Sequence, residues 1–105
     1  MNNTVEIKRF EIVIRKDKLS KIVSLLSKTE VRGYTVIKQA GGLGSSGAVD
    51  PGDVILNEEN VIVILACQEE KAQKLLTEIQ PIMKDLGGMC LISDCLWLGS
   101  PTGSF

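Results

Sequence analysis

Residues Val61 to Cys67 read VIVILAC, apolar on both faces of any strand they form. A strand of that kind is a buried central strand of a sheet, not an edge, so the rest of the chain has to be read as what surrounds it. Upstream, Ile7 to Arg15 places Phe10, Ile12 and Ile14 on one face and Glu11 and Val13 on the other, a strand of mixed burial. Tyr34 to Ala40 is rich in β-branched residues and reads as a second strand. Met89 to Leu98 alternates through Met89, Leu91, Ser93, Cys95 and Trp97 as a fourth.

Between these strands the apolar period changes. Leu19, Ile22, Val23 and Leu26 fall at helical spacing, with Asp17 placed as an N-cap. Glu69 to Leu86 carries Ala72, Leu75, Leu76, Ile79, Met83 and Leu86 at the same spacing, with Glu69 and Glu70 where the helix dipole favours acids. Pro81 should kink this helix, because its ring removes a backbone hydrogen bond, and Gly87-Gly88 should stop it. The order is β-α-β-β-α-β. Right-handed crossovers then put both helices on one face of a four-stranded antiparallel sheet, an α+β sandwich of the ferredoxin-like kind.

The 105 residues suit a single domain, 1–105, with one core. Twelve basic residues against thirteen acidic ones leave a formal charge of -1 and no basic stripe, which argues against nucleic-acid binding. There is no histidine, so Ser-His and Cys-His nucleophile pairs and histidine metal ligands are excluded. Cys67, Cys90 and Cys95 show no CxxC spacing. Cys90 and Cys95 point to opposite faces of one strand, and all three read as buried, inert thiols in a reducing compartment. MNNTVEIKRF lacks the apolar core of a signal peptide and no apolar run reaches membrane-spanning length, so the expected location is cytoplasmic.

The segment between the second and third strands holds the functional signal. Five glycines fall between Gly41 and Gly52, and the connection is long and irregular for a compact domain. Gly42-Leu43-Gly44-Ser45-Ser46-Gly47 is a literal GxGxxG, but Val49, Asp50, Pro51 and Gly52 follow, so no helix opens where a dinucleotide fold needs one. What remains is a run of small residues whose N–H groups can form an anion-accepting nest, or a simple turn. Asp50, Asp53, Glu58 and Glu59 lack the alternating oxygen spacing of a calcium loop and read as solvated, so no metal site is expected. Glu11 and Asp94 lie in strands, where either a cleft or edge exposure accounts for them. No catalytic constellation stands out.

A four-stranded sheet has open edges that need cover. Trp97 to Phe105 supplies apolar anchors for another subunit, and oligomerisation through the sheet edges is expected.

The chain resembles the PII signal-transduction proteins. The likeness is in the layout of the whole domain and, locally, in Gly33-Tyr34-Thr35-Val36 followed by Gly42-Leu43-Gly44 and a long loop, similar to that family's G-x-T-V strand, G-x-G turn and T-loop. The resemblance implies a trimer with an adenine nucleotide in each cleft between neighbours and a T-loop that docks onto a transporter or enzyme. It places Thr35, Gly41, Gly42, Leu43, Gly44 and Ser45 in the nucleotide site. Residues 46–60 become the T-loop, where the apolar Val49, Val54, Ile55 and Leu56 would meet the protein partner. Residues 84–91 become the B-loop, with Gly87, Gly88 and Met89 beside the phosphates. The family's T-G-x-x-G-D-G-K-I-F segment is reduced here to DLGGMCLI, with Met89 or Cys90 in place of the lysine. The arginines after the last strand are missing, the glutamine after the G-x-G turn is Ser46, and the loop has no tyrosine. A triphosphate needs cationic partners. The expected ligand is therefore AMP or ADP rather than ATP, in a PII-like protein of nitrogen or inorganic-carbon regulation that is not an enzyme. Two alternatives share the fold. A CutA-like divalent-cation-tolerance protein should have a short β2–β3 hairpin and more than the four aromatic residues here, and a small cofactor-free enzyme is disfavoured by the missing histidine.

Overall fold

The computed structural model describes residues 3–31, 33–40 and 60–99. Its strands are β1 (Thr4–Arg15), β2 (Tyr34–Ala40), β3 (Asn60–Cys67) and β4 (Met89–Leu98). Its helices are α1 (Leu19–Lys28), α2 (Glu69–Ile79) and the short α3 (Met83–Leu86). The sheet is antiparallel in the order β2-β3-β1-β4, the ferredoxin-like arrangement, with VIVILAC in a central position as its composition requires.

Pairing sorts the side chains into two faces. On one, Phe10, Ile12 and Ile14 stand opposite Leu65, Val63 and Val61. They are fully or nearly fully buried against Ile22, Leu25 and Leu26 of α1 and Ala72, Leu75 and Ile79 of α2. Each such large side chain removed from water contributes on the order of 2 kcal/mol. On the other face lie Val5, Ile7, Val13, Ile62, Ile64, Ala66, Leu91 and Trp97, together with Thr35 and Ile37 of β2. Among the described residues of that face only Ile7 is buried, while Ile37, Met89 and Leu91 are about half exposed. The burial of β3 therefore alternates strictly, and its second apolar face is only partly buried.

Three local expectations need correction. Asp17 does not cap α1. It sits in a 3-10 turn, Lys16–Lys18, and accepts a hydrogen bond from Arg15 Nε at 3.2 Å, while the N-cap of α1 is Lys18 without a side-chain bond. The second helix is broken more than kinked, because Pro81 lies in a 3-10 turn, Gln80–Ile82, that separates α2 from α3. The thiols are not uniformly buried either, since Cys90 and Cys95 are partly exposed. Cys67 fits the inert reading, with burial pushing its thiol up to about 11.

The exit of α1 is well defined. Glu30 takes the left-handed conformation (φ 64°) while Val31 N–H reaches Leu26 O at 2.8 Å and Glu30 N–H reaches Ser27 O at 3.1 Å, the double bond of a Schellman ending. Buried Thr29 adds its hydroxyl, donating to Leu25 O at 3.0 Å. This turn delivers the chain to Gly33 and sets where β2 begins.

Candidate functional site

The segment after β2 and the segment before β4 emerge at the same end of the sheet. Ala40 stands opposite Asn60, which pairs with Arg15, and Met89 pairs with Val13 two residues along the same strand. They emerge, however, at opposite edges. Thr35 projects from the open face of β2 and shares a row with Ile64, Glu11 and Leu91, so two strands separate it from β4. At about 4.8 Å per strand the two edges are about 14 Å apart. No single chain brings Thr35 and Met89 together.

Of the expected site residues, Thr35, Gly87, Gly88 and Met89 are described. Gly41, Gly42, Leu43, Gly44 and Ser45, and the apolar loop residues Val49, Val54, Ile55 and Leu56, lie outside the described residues.

Gly87 and Gly88 each have a backbone reason to be glycine. Gly87 closes α3 in the left-handed region (φ 67°) and donates its N–H to Met83 O at 3.2 Å. A Cβ on Gly88 would stand 1.8 Å from Val13 O and 2.9 Å from Val13 C, inside the backbone of β1. The glycine pair lets the chain leave α3 and enter the sheet edge directly against β1. Asp85, one turn earlier, accepts from Lys21 Nζ at 2.5 Å and lies 3.8 Å from Lys18 Nζ. The Lys21 hydrogen bond, with Lys18 adding to it, holds the Asp85 carboxyl below its usual range. Lys18 and Lys21 thus tie α3 to the start of α1, Lys84 lies within α3, and residues 86–98 contain no lysine or arginine.

Two clefts open on the described surface. One, of about 590 Å³, runs beside the β2 edge and is lined by Val23, Ser27, Glu30, Val31 and Tyr34. The other, of about 500 Å³, lies at the far end of the β1–β4 ribbon around Lys8, Glu69, Asp94 and Leu96. In the second, Lys8 donates to Asp94 and sits 3.6 Å from Glu69, and the Asp94 hydrogen bond raises its pKa. Glu6, Glu69 and Asp94 outnumber the one ammonium there, so this cleft repels phosphates. Glu11 is likewise committed, to Arg9 at 3.0 Å. Among the described residues no group of three His, Cys, Asp or Glu could hold a metal ion. Among the described residues no helix is long and apolar enough to cross a membrane.

Residues 7–97 match the family model of the nitrogen regulatory protein P-II. No curated protein matches. Among solved structures, CPII from Thiomonas intermedia K12 bound to ADP and bicarbonate superimposes with a TM-score of 0.79 at 24% identity, over 92% of this chain and 93% of that one. CPII from the same organism bound to ADP, AMP and bicarbonate gives 0.79 at 26% identity, over 92% of both chains. A PII-like signalling protein from Thermus thermophilus gives 0.70 at 20% identity, over 91% of this chain and 92% of that one.

Proposed function

The chain belongs to the nitrogen regulatory protein P-II family, and from that premise we propose that it is a non-enzymatic, homotrimeric regulator. It takes an adenine nucleotide between neighbouring subunits and acts on a protein target, a transporter or an enzyme, through residues 46–60. The observation that carries this reading is the division of the expected site between the two edges of one sheet. A head-to-tail ring places the β2 edge of each subunit beside the β4 edge of the next. In such a ring Thr35 of one subunit and Gly87 to Met89 of its neighbour flank a common cleft at the end from which the loop leaves. The apolar open face supports the same assembly, since three such faces turned inward cover one another.

The similarity to CPII structures holding ADP, AMP and bicarbonate supports an adenine nucleotide as ligand, bicarbonate as the small effector anion and inorganic-carbon regulation as the setting, in a cytoplasmic protein. Signalling follows by linkage: a ligand that binds one loop state better shifts the loop toward it and changes affinity for the target.

The charge pattern predicts the preference. With no cation in residues 86–98 and with Lys18 and Lys21 beside Asp85, Lys84 is the one cation that residues 84–91 contribute, too little charge to favour a third phosphate. Calorimetry should find ADP and AMP binding at least as tightly as ATP, with bicarbonate changing the ADP affinity. ATP binding more than tenfold tighter than both would contradict the reading.

Removing residues 47–57 should leave the trimer and its cooperative melting in place, because shortening a surface loop changes stability by only about 1 kcal/mol. Nucleotide-dependent capture of the target should vanish. A shortened protein that unfolds or dissociates would make the loop structural instead.

A further inference from the structure

The open face of the sheet is apolar across four strands, yet two charges stand in its middle. Arg9 lies on β1 between Ala66 of β3 and Ser93 of β4, and Glu11 lies between Ile64 and Leu91. Arg9 Nη1 and Glu11 Oε1 are 3.0 Å apart, with side chains 40% and 30% exposed in the isolated chain. Among the described residues the remaining charge on that face is Arg15 at its end, which bonds Asp17. An ion pair carried into an apolar contact costs desolvation that its attraction barely repays, so it contributes little to affinity and much to register.

We propose that Arg9 and Glu11 of three copies form a charge-balanced ring at the centre of the trimer, and that this ring fixes how the three sheets meet. The inference rests on the trimeric reading above. β1 is an inner strand of its sheet. In a threefold ring its open-face residues repeat around the axis, three Arg9 at one level and three Glu11 about 7 Å further along the strand. Each guanidinium keeps its own carboxylate and also faces a neighbour's. The second copy is the occupant that fits this face, because the surface needed is apolar around one charge of each sign, and the face itself supplies that pattern. Removing one member would leave three like charges uncompensated in an apolar contact, so symmetry multiplies the effect of a single substitution.

Sedimentation of four proteins tests this: the wild type, Arg9→Met, Glu11→Leu and the double variant. Each single substitution should weaken trimer association by roughly a hundredfold or more, as when one partner of a buried pair is removed. The double variant, with both charges replaced by apolar groups, should associate within about tenfold of wild type. If the single variants fail to fold, the exchange Arg9→Glu with Glu11→Arg decides the matter, since it restores the balance and should trimerise. Single variants that trimerise like wild type, or an exchange variant that does not trimerise, would overturn the ring while leaving the trimer intact. A monomeric wild type would overturn the trimeric reading and the ring with it.

Discussion

Replacing Gly88 with alanine should destabilise the fold by about 3 kcal/mol or more, the upper range of overpacking effects. The added Cβ meets Val13 O at 1.8 Å, Val13 C at 2.9 Å and Ile14 Cα at 3.1 Å, all backbone atoms of an inner strand. A flexible side chain could swing aside. The backbone of β1 cannot, because it is paired with β3 on one side and β4 on the other. Relief requires β4 to lift from β1 at the Val13–Met89 pair, which also displaces the turn assigned to the nucleotide. Two other glycines provide the scale. Gly87→Ala, with open space around its Cβ but φ at 67°, should cost about 1 kcal/mol through backbone strain. Gly33→Ala has nothing within 4 Å and should stay within about 0.5 kcal/mol of wild type. Chemical denaturation of the three variants checks the order, and a Gly88→Ala protein as stable as Gly33→Ala would contradict it.

Ile62→Asp should dissociate the trimer while leaving a folded subunit. Ile62 shares its open-face row with Ile37, Val13 and Met89, so a carboxylate there has no cation opposite it. Within the single chain this face is already partly wet, and the change should cost only about 1 kcal/mol of β-preference. In an assembly that turns the faces inward, three buried carboxylates would each carry a penalty of several kcal/mol. Light scattering should show a monomer, circular dichroism an unchanged fold, and calorimetry no nucleotide binding. A trimeric Ile62→Asp protein would mean that the open face is not the contact.

The elements that could be read from the sequence were those whose period was set by this chain's own core. Tyr34–Ala40 and Met89–Leu98 have the expected bounds, and the stripe of the second helical segment packs on the core as expected, whereas in α1 Leu25 is buried in place of the expected Val23. β1 starts three residues earlier than its apolar alternation indicates, at Thr4 rather than Ile7, because its first residues pair with β4 without covering the core. VIVILAC reads as buried on both faces, and the structure divides that signal. Val61, Val63, Leu65 and Cys67 answer to the helices, while Ile62, Ile64 and Ala66 on the opposite face are only partly buried. A single sequence cannot distinguish cover by its own layers from cover by a copy of itself. Asp17 was misleading because a short acid before an apolar stripe also suits a 3-10 turn with an arginine two residues back.

The candidate site was legible as a layout rather than as contacts. Gly87 and Gly88 fit a phosphate-binding turn in pattern, but the helix ending and the close approach to β1 already require them. Their identity alone therefore carries little information about a ligand. Arg9 gave no sequence signal beyond strand alternation, and Glu11 was open to a cleft or to edge exposure. Their place in an otherwise apolar face emerges only once the register with β3 and β4 is known.

The central claim is that each nucleotide site is shared between neighbours, and subunit mixing tests it most directly. Thr35→Glu places a carboxylate on the β2 half of the site, and Met89→Glu places one on the β4 half. Each variant, once shown to be trimeric, should bind no ADP alone. Mixed by unfolding and refolding together in equal amounts, the two form rings in which a Met89→Glu subunit offers its intact β2 edge to the intact β4 edge of a Thr35→Glu neighbour. Random assembly then restores roughly a quarter of the sites with wild-type affinity. If the mixture binds no more ADP than its separate components, both halves of the site belong to one chain, and the shared-cleft account is wrong.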